Sequence, residues 1–156
     1  MSFITLLFGN GLGRALDQEY FPLEAGIRFV WNDENDPILN DANKNSILQC
    51  LAQPGRPLPT LPTKEDELET LHKVVTACRL IREVEDRNPI WLTQHGRGFP
   101  QIIDHFVGRV AHYFHQCESL GEAHGVFISN LTAFIQTYRT HVDTLNYDNI
   151  LYQPLI

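Results

Sequence analysis

The chain has 156 residues, 43% of them hydrophobic and including nine Phe and two Trp, so it suits one domain or one piece of a larger domain with a real core and excludes a disordered tail. Its formal charge is −7 at neutral pH and its few basic residues are spread out, which excludes the basic stripe of a nucleic-acid binder and an affinity for anionic membrane. Three cysteines, Cys50, Cys78 and Cys117, are odd in number and form no Cys-x-x-Cys, which excludes a disulfide framework and a zinc knuckle and fits a reducing cytoplasm.

The first predicted element is an apolar strand, Phe3 to Phe8, running into Gly9-Asn10-Gly11-Leu12-Gly13-Arg14. It lacks a basic leader and breaks at Gly9, too early for a signal peptide, and no run approaches the ~20 apolar residues that span a bilayer. A glycine turn lets backbone N–H groups approach a ligand that a Cβ would fend off, and a following helix points its positive end at an anion. The spacing is neither the dinucleotide fingerprint nor a P-loop, so the pattern alone is equally a tight turn that needs glycine for geometry.

A short helix is predicted from Gly11 to about Asp17, and apolar residues at helical spacing continue from Phe21 to Trp31. Residues Asn32 to Asn45, rich in Asn and Asp, read as a loop, Ser46 to Ala52 as a short helix, and Pro54, Pro57, Pro59 and Pro62 as an irregular linker. Thr63 then caps a long helix with Asp66 at its third position and Leu68, Leu71, Val75, Cys78, Leu80, Ile81 and Val84 on one face. Asn88-Pro89 ends it. Pro100 is a favourable first residue for a helix to about Glu118, and a further helix from about Glu122 to Arg139 has Phe127, Leu131, Phe134, Ile135 and Tyr138 as its expected buried face. A second strand, His141 to Leu145, ends in Asn146-Tyr147-Asp148 and turns into a helix at about Asn149.

Two strands that each feed a polar loop and a helix predict an α/β protein: a partial Rossmann-like parallel sheet with a large helical insertion between its first and second motif strands. Residues 1–31 form the glycine-turn unit, 32–139 the mostly helical insertion, and 140–156 the second motif strand and the start of the next helix. In a parallel sheet neighbouring strands share one rim, so the glycine loop and the Asn146-Tyr147-Asp148 loop are expected across one crevice.

A strand with a Gly-x-Gly turn, a long insertion, then a strand ending in Thr144-Leu145-Asn146-Tyr147-Asp148 resembles the NAD-binding half of sirtuins. It resembles more closely still the sirtuin-like NAD-hydrolysing domains of bacterial anti-phage defence proteins. The resemblance rests on about twenty-five residues at the two ends. It implies that Gly9, Asn10, Gly11 and Gly13 line the NAD phosphates with Arg14 nearby. Asn146 is implied as the catalytic residue beside the nicotinamide ribose, positioning its hydroxyls or the attacking water, while Thr144 and Asp148 support that loop. NAD is then the substrate, cleaved to nicotinamide and ADP-ribose, with no metal. Family members also use a His some tens of residues beyond the Asn motif. None of the seven histidines stands there, so this chain alone is expected to be inactive, the base lying past Ile156.

Other chemistries find less support. His105, His112 and His115 with Asp104 and Cys117 crowd one helix, but Ile102, Phe106, Val110 and Phe114 share it, so the histidines read as surface or half-buried positions. His141 reads as a satisfied strand histidine. No Gly-x-Ser-x-Gly elbow or activated Cys is visible, and the acidic runs around Glu65 and Glu83 read as solvated helix faces. The alternative function is a non-catalytic nucleotide-binding or helical oligomerisation module, with homo-oligomers forming through the helical insertion.

Overall fold

The computed structural model describes residues 4–8, 11–85, 91–116 and 122–144. They form β1 (Thr5–Phe8), α1 (Gly11–Leu16), α2 (Leu23–Trp31), α3 (Asp41–Cys50), α4 (Glu65–Glu85), α5 (Gln94–His115), α6 (Glu122–Tyr138) and β2 (His141–Thr144). The chain divides into two compact units, Met1–Gly26 with Ala111–Ile156, and Ile27–Val110.

The expected α/β architecture is overturned. Helix occupies 66% of the described residues, in six helices, and the sheet is a two-stranded parallel pair of four-residue strands, so a Rossmann-like fold does not fit. A doubly wound sheet needs alternating strands and helices. Here the described stretches between the two strands carry apolar residues at a period near 3.6 instead, and they form helices.

In the first unit the core is aromatic. Leu16 and Phe21 are buried, with Leu12, Tyr20, Phe114 and Ile128 packed against them. The chain turns sharply after α1 because the Asp17 carboxylate accepts the N–H groups of Glu19 and Tyr20, both at 2.8 Å, an Asx-type turn that delivers Phe21 back under the helix. Tyr20 stacks on Tyr113 at 4.5 Å and donates its hydroxyl to the Tyr113 carbonyl, while Phe21 lies 6.4 Å from Phe114 with nearly parallel rings. At the end of α6, Arg139 adopts φ 48°, and the N–H of Thr140 reaches back to the Ile135 carbonyl at 3.0 Å, the six-to-one bond that closes a helix and starts β2.

The second unit is helix on helix. Ile27, Val30, Leu39, Ile47, Leu71, Val75, Phe99, Ile102, Ile103 and Phe106 are buried, and Trp31 meets Phe106 edge-on at 5.8 Å. Glu67, rather than Asp66, caps α4, its Oε2 accepting the N–H groups of Thr63 (2.7 Å) and Lys64 (3.0 Å). Only the first half of the predicted stripe is covered: Leu71, Val75 and Cys78 are buried, while Leu80, Ile81 and Val84 are exposed. α3 begins five residues ahead of the predicted Ser46 because Asn40 caps it, its side chain accepting the Asn43 N–H at 3.1 Å. α5 begins at Gln94, so Pro100 lies inside it, since Thr93 caps the helix by accepting the Gly96 N–H at 3.1 Å. Among the described residues no helix is long and apolar enough to cross a membrane.

Gly13 is the tightest contact of α1: a Cβ there would lie 2.8 Å from Cδ1 and 2.9 Å from Cγ of the buried Phe21 ring. Alanine is the better helix former, by about 1 kcal/mol, but the ring root cannot swing aside. Gly13→Ala is therefore expected to lower the unfolding free energy by about 1–2 kcal/mol in urea titrations. Unchanged or raised stability would contradict the packing role.

Candidate functional site

β1 and β2 pair in parallel with the register Thr5↔His141, Leu6↔Val142, Leu7↔Asp143 and Phe8↔Thr144, continued by the His141 N–H on the Ile4 carbonyl at 3.0 Å. Parallel pairing puts both carboxyl ends on one rim. Phe8 and Thr144 are register partners there, and each is the last strand residue before one of the two sequence motifs. Gly9, Asn10, Asn146 and Asp148 lie outside the described residues, and Thr144 is placed by its backbone alone.

Gly11 opens α1, and Gly13 and Arg14 follow within the same six-residue helix. So short a helix aligns few peptide dipoles, and its contribution to anion binding rests on local N–H groups. Gly13 is buried against Phe21, which gives it a packing reason to be glycine, whereas Arg14 is exposed. The fold thus brings together the bases of the two motif loops and holds Gly11, Gly13 and Arg14 on one turn-and-a-half of helix.

Sequence reasoning missed the strongest polar cluster, which lies in the second unit. Asp36 is 4% exposed. Its Oδ1 accepts the N–H groups of Ile38 (2.9 Å) and Leu39 (3.0 Å), and its Oδ2 accepts from Arg109 Nη1 (2.8 Å). His105 Nε2 stands 3.0 and 2.8 Å from the two oxygens. Burial pushes the Asp36 carboxyl up, but the hydrogen bonds from Leu39, His105 and Ile38 outweigh it and hold the group down at about 2. A carboxylate can only accept, so the proton of this contact sits on His105 Nε2. Arg109 also bonds Asp33 Oδ2 at 2.8 Å, and this bond, with one from the Asn35 N–H, lowers the Asp33 carboxyl. One guanidinium therefore ties two loop carboxylates to α5. The sequence held one faint signal: His105 and Arg109, one turn apart, flank the stripe of Ile102, Phe106 and Val110.

The remaining histidines do not assemble into a centre. His112 Nε2 contacts Gln116 at 2.8 Å, His105 is engaged by Asp36, and among the described residues no three His, Cys, Asp or Glu side chains are grouped to hold a metal ion. Cys50 and Cys78 are free thiols lining a cleft of about 320 Å³ with His95, and burial pushes the Cys50 thiol up, which disfavours the nucleophilic thiolate. Comparison with protein-family models, with curated proteins and with solved structures returned no significant match.

The Asp36 cluster is a structural clamp with two measurable consequences. Asp36→Ala removes the acceptor for two loop N–H groups, the partner of His105 and one of the two partners of Arg109, which keeps Asp33 and is part-exposed, so chemical denaturation should register a loss of about 2–4 kcal/mol. The pH dependence has a fixed sign. The folded value of about 2 lies below the ordinary 3.8, so the contribution is complete above pH about 4 and is lost as pH falls through about 2. Acid unfolding of Asp36→Ala should accordingly be shallower than that of the parent chain, and an identical acid profile would contradict the assignment.

Proposed function

We propose that the chain binds NAD at the rim shared by β1 and β2 and serves the hydrolysis of NAD to nicotinamide and ADP-ribose. The single observation in support is the parallel register that makes Phe8 and Thr144 partners, because each leads directly into one motif. Gly9, Asn10 and Gly11 offer backbone N–H groups to the pyrophosphate and Arg14 adds a positive charge. Gly13 acts one step back, by letting α1 seat on Phe21. Thr144 and Asp148 support the opposite loop, and Asn146 orients the nicotinamide ribose or the attacking water.

The chemistry asks little of the protein. Nicotinamide leaves as a neutral molecule from a cationic ring, so the site must hold the dinucleotide in one pose, stabilise an oxocarbenium-like sugar and aim a water at it. An amide suits that task, since it donates and accepts without titrating. The resemblance to sirtuin-like defence domains adds a setting, the bacterial cytoplasm, where NAD is available and where thiols such as Cys50 and Cys78 stay reduced.

Two measurements test the reading. Calorimetry with NAD and ADP-ribose should show binding by the parent chain that weakens at least tenfold in Gly11→Val, where a side chain would obstruct the phosphates. Nicotinamide release by the full-length protein should fall by about 10²–10³-fold in Asn146→Ala. Undiminished hydrolysis would refute the role given to Asn146, and absence of NAD binding would refute the site.

A further inference from the structure

α3 and α4 bring two thiols to one cleft. Ser46, Gln49 and Cys50 recur at helical spacing along one side of α3, Val74 and Cys78 stand one turn apart on α4, and all five line a single cleft of about 320 Å³. Cys50 is half-buried, Cys78 is 9% exposed, and both are free thiols. They lie 28 positions apart in the sequence, with Pro54, Pro57, Pro59 and Pro62 in the irregular stretch between their helices. The folding of the second unit, and no local pattern, makes them neighbours.

Their proximity leaves an electrostatic trace. Burial raises the Cys50 thiol and Cys78 raises it further, an effect of like charge that requires the two sulfurs to be close. A thiol so placed ionises reluctantly, which speaks against covalent catalysis. The pair is also short of a metal centre, because among the described residues no third His, Cys, Asp or Glu side chain is grouped with them. Two neighbouring thiols retain one further chemistry, the joint loss of two electrons and two protons.

We propose that Cys50 and Cys78 form a reversible disulfide by exchange with a low-molecular-weight disulfide of the glutathione class, a staple between α3 and α4 that is independent of the nucleotide reading. Cys50, the more exposed of the two, loses its proton to solvent and attacks one sulfur of oxidised glutathione. The S–S bond breaks, one glutathione leaves as a thiolate that takes up a proton, and a mixed disulfide remains on Cys50. The Cys78 thiolate then attacks the Cys50 sulfur and expels the second glutathione. Two protein thiols are oxidised and one glutathione disulfide is reduced to two thiols. Excess reduced glutathione runs the sequence backwards, so the staple stays open in strongly reducing surroundings and closes as they become oxidising.

The test is to incubate the full chain with oxidised glutathione at mildly alkaline pH, alkylate the remaining thiols and map the cysteines by mass spectrometry. In the folded chain the peptide holding Cys50 should be joined to that holding Cys78 in about 90% or more of the internal disulfides. In concentrated urea pairing follows loop length, and the same link should fall to about half, the rest involving Cys117. The value of [GSH]²/[GSSG] at which the link is half formed should be at least about tenfold higher for the folded chain than in urea, because the cleft holds the thiols at a higher effective concentration than a flexible loop does. Cys78→Ser should halt the reaction at a Cys50 adduct one glutathione heavier. A folded chain that collects glutathione adducts without the internal link overturns the proposal. So does a pairing distribution or a midpoint that is the same folded and in urea, and if Cys78→Ser does not fold, the map of the unsubstituted chain decides alone.

Discussion

Parallel strands cannot be joined by a tight turn: the chain leaving Phe8 must return along the full length of the strand before His141 can pair beside Thr5. Everything from Gly9 to Thr140 is that connection, and among the described residues it holds six helices. The constraint also fixes polarity. Whatever follows β1 and whatever follows β2 leave from the same rim, however far apart they are in sequence. A pair of antiparallel strands with the same side chains would have sent the two motifs to opposite ends. The functional reading depends on this one geometric fact more than on any single side chain.

So long a connection needs internal fixtures, and the second unit supplies one in Asp36. The loop between α2 and α3 has few apolar side chains to bury, and its geometry is set by polar groups that must be satisfied once they leave water. Asp36 accepts two N–H groups of its own loop and the side chains of His105 and Arg109, so one carboxylate both shapes the loop and fastens it to α5. Arg109 suits the task better than a lysine would, because its planar fork reaches Asp33 and Asp36 through different nitrogens. The cost of desolvating Asp36 is offset only because each of its oxygens finds donors.

What could be read from the sequence follows from whether the cause was local. The long helices were legible from period and caps, and so were the two strands, because those signals lie within a few residues of their effects. Boundaries failed where a particular cap competed: Thr93 starts α5 ahead of Pro100, and Asn40 starts α3 inside a stretch whose composition reads as loop. The Asp36 clamp joins residues 69 and 73 positions apart, and no local pattern encodes such a pairing. The α/β expectation failed for another reason. Two strand-and-loop motifs at the ends of the chain carry no information about how many strands lie between them, and the helical periodicity of the interval was the better guide to fold class.

The first unit has more apolar surface than its described residues cover. Four-residue strands in a two-stranded sheet are marginal on their own, and parallel sheets are ordinarily covered on both faces. Leu7, in the middle of the pairing register, is nevertheless 66% exposed. On α6, in the same unit, Ile135 is the one buried residue of the expected face while Phe127, Phe134 and Tyr138 are exposed, and the helix leads, through the left-handed turn at Arg139, directly into β2. Covering that face would therefore restrain the helix end from which β2 starts, and through it the register that sets Phe8 beside Thr144.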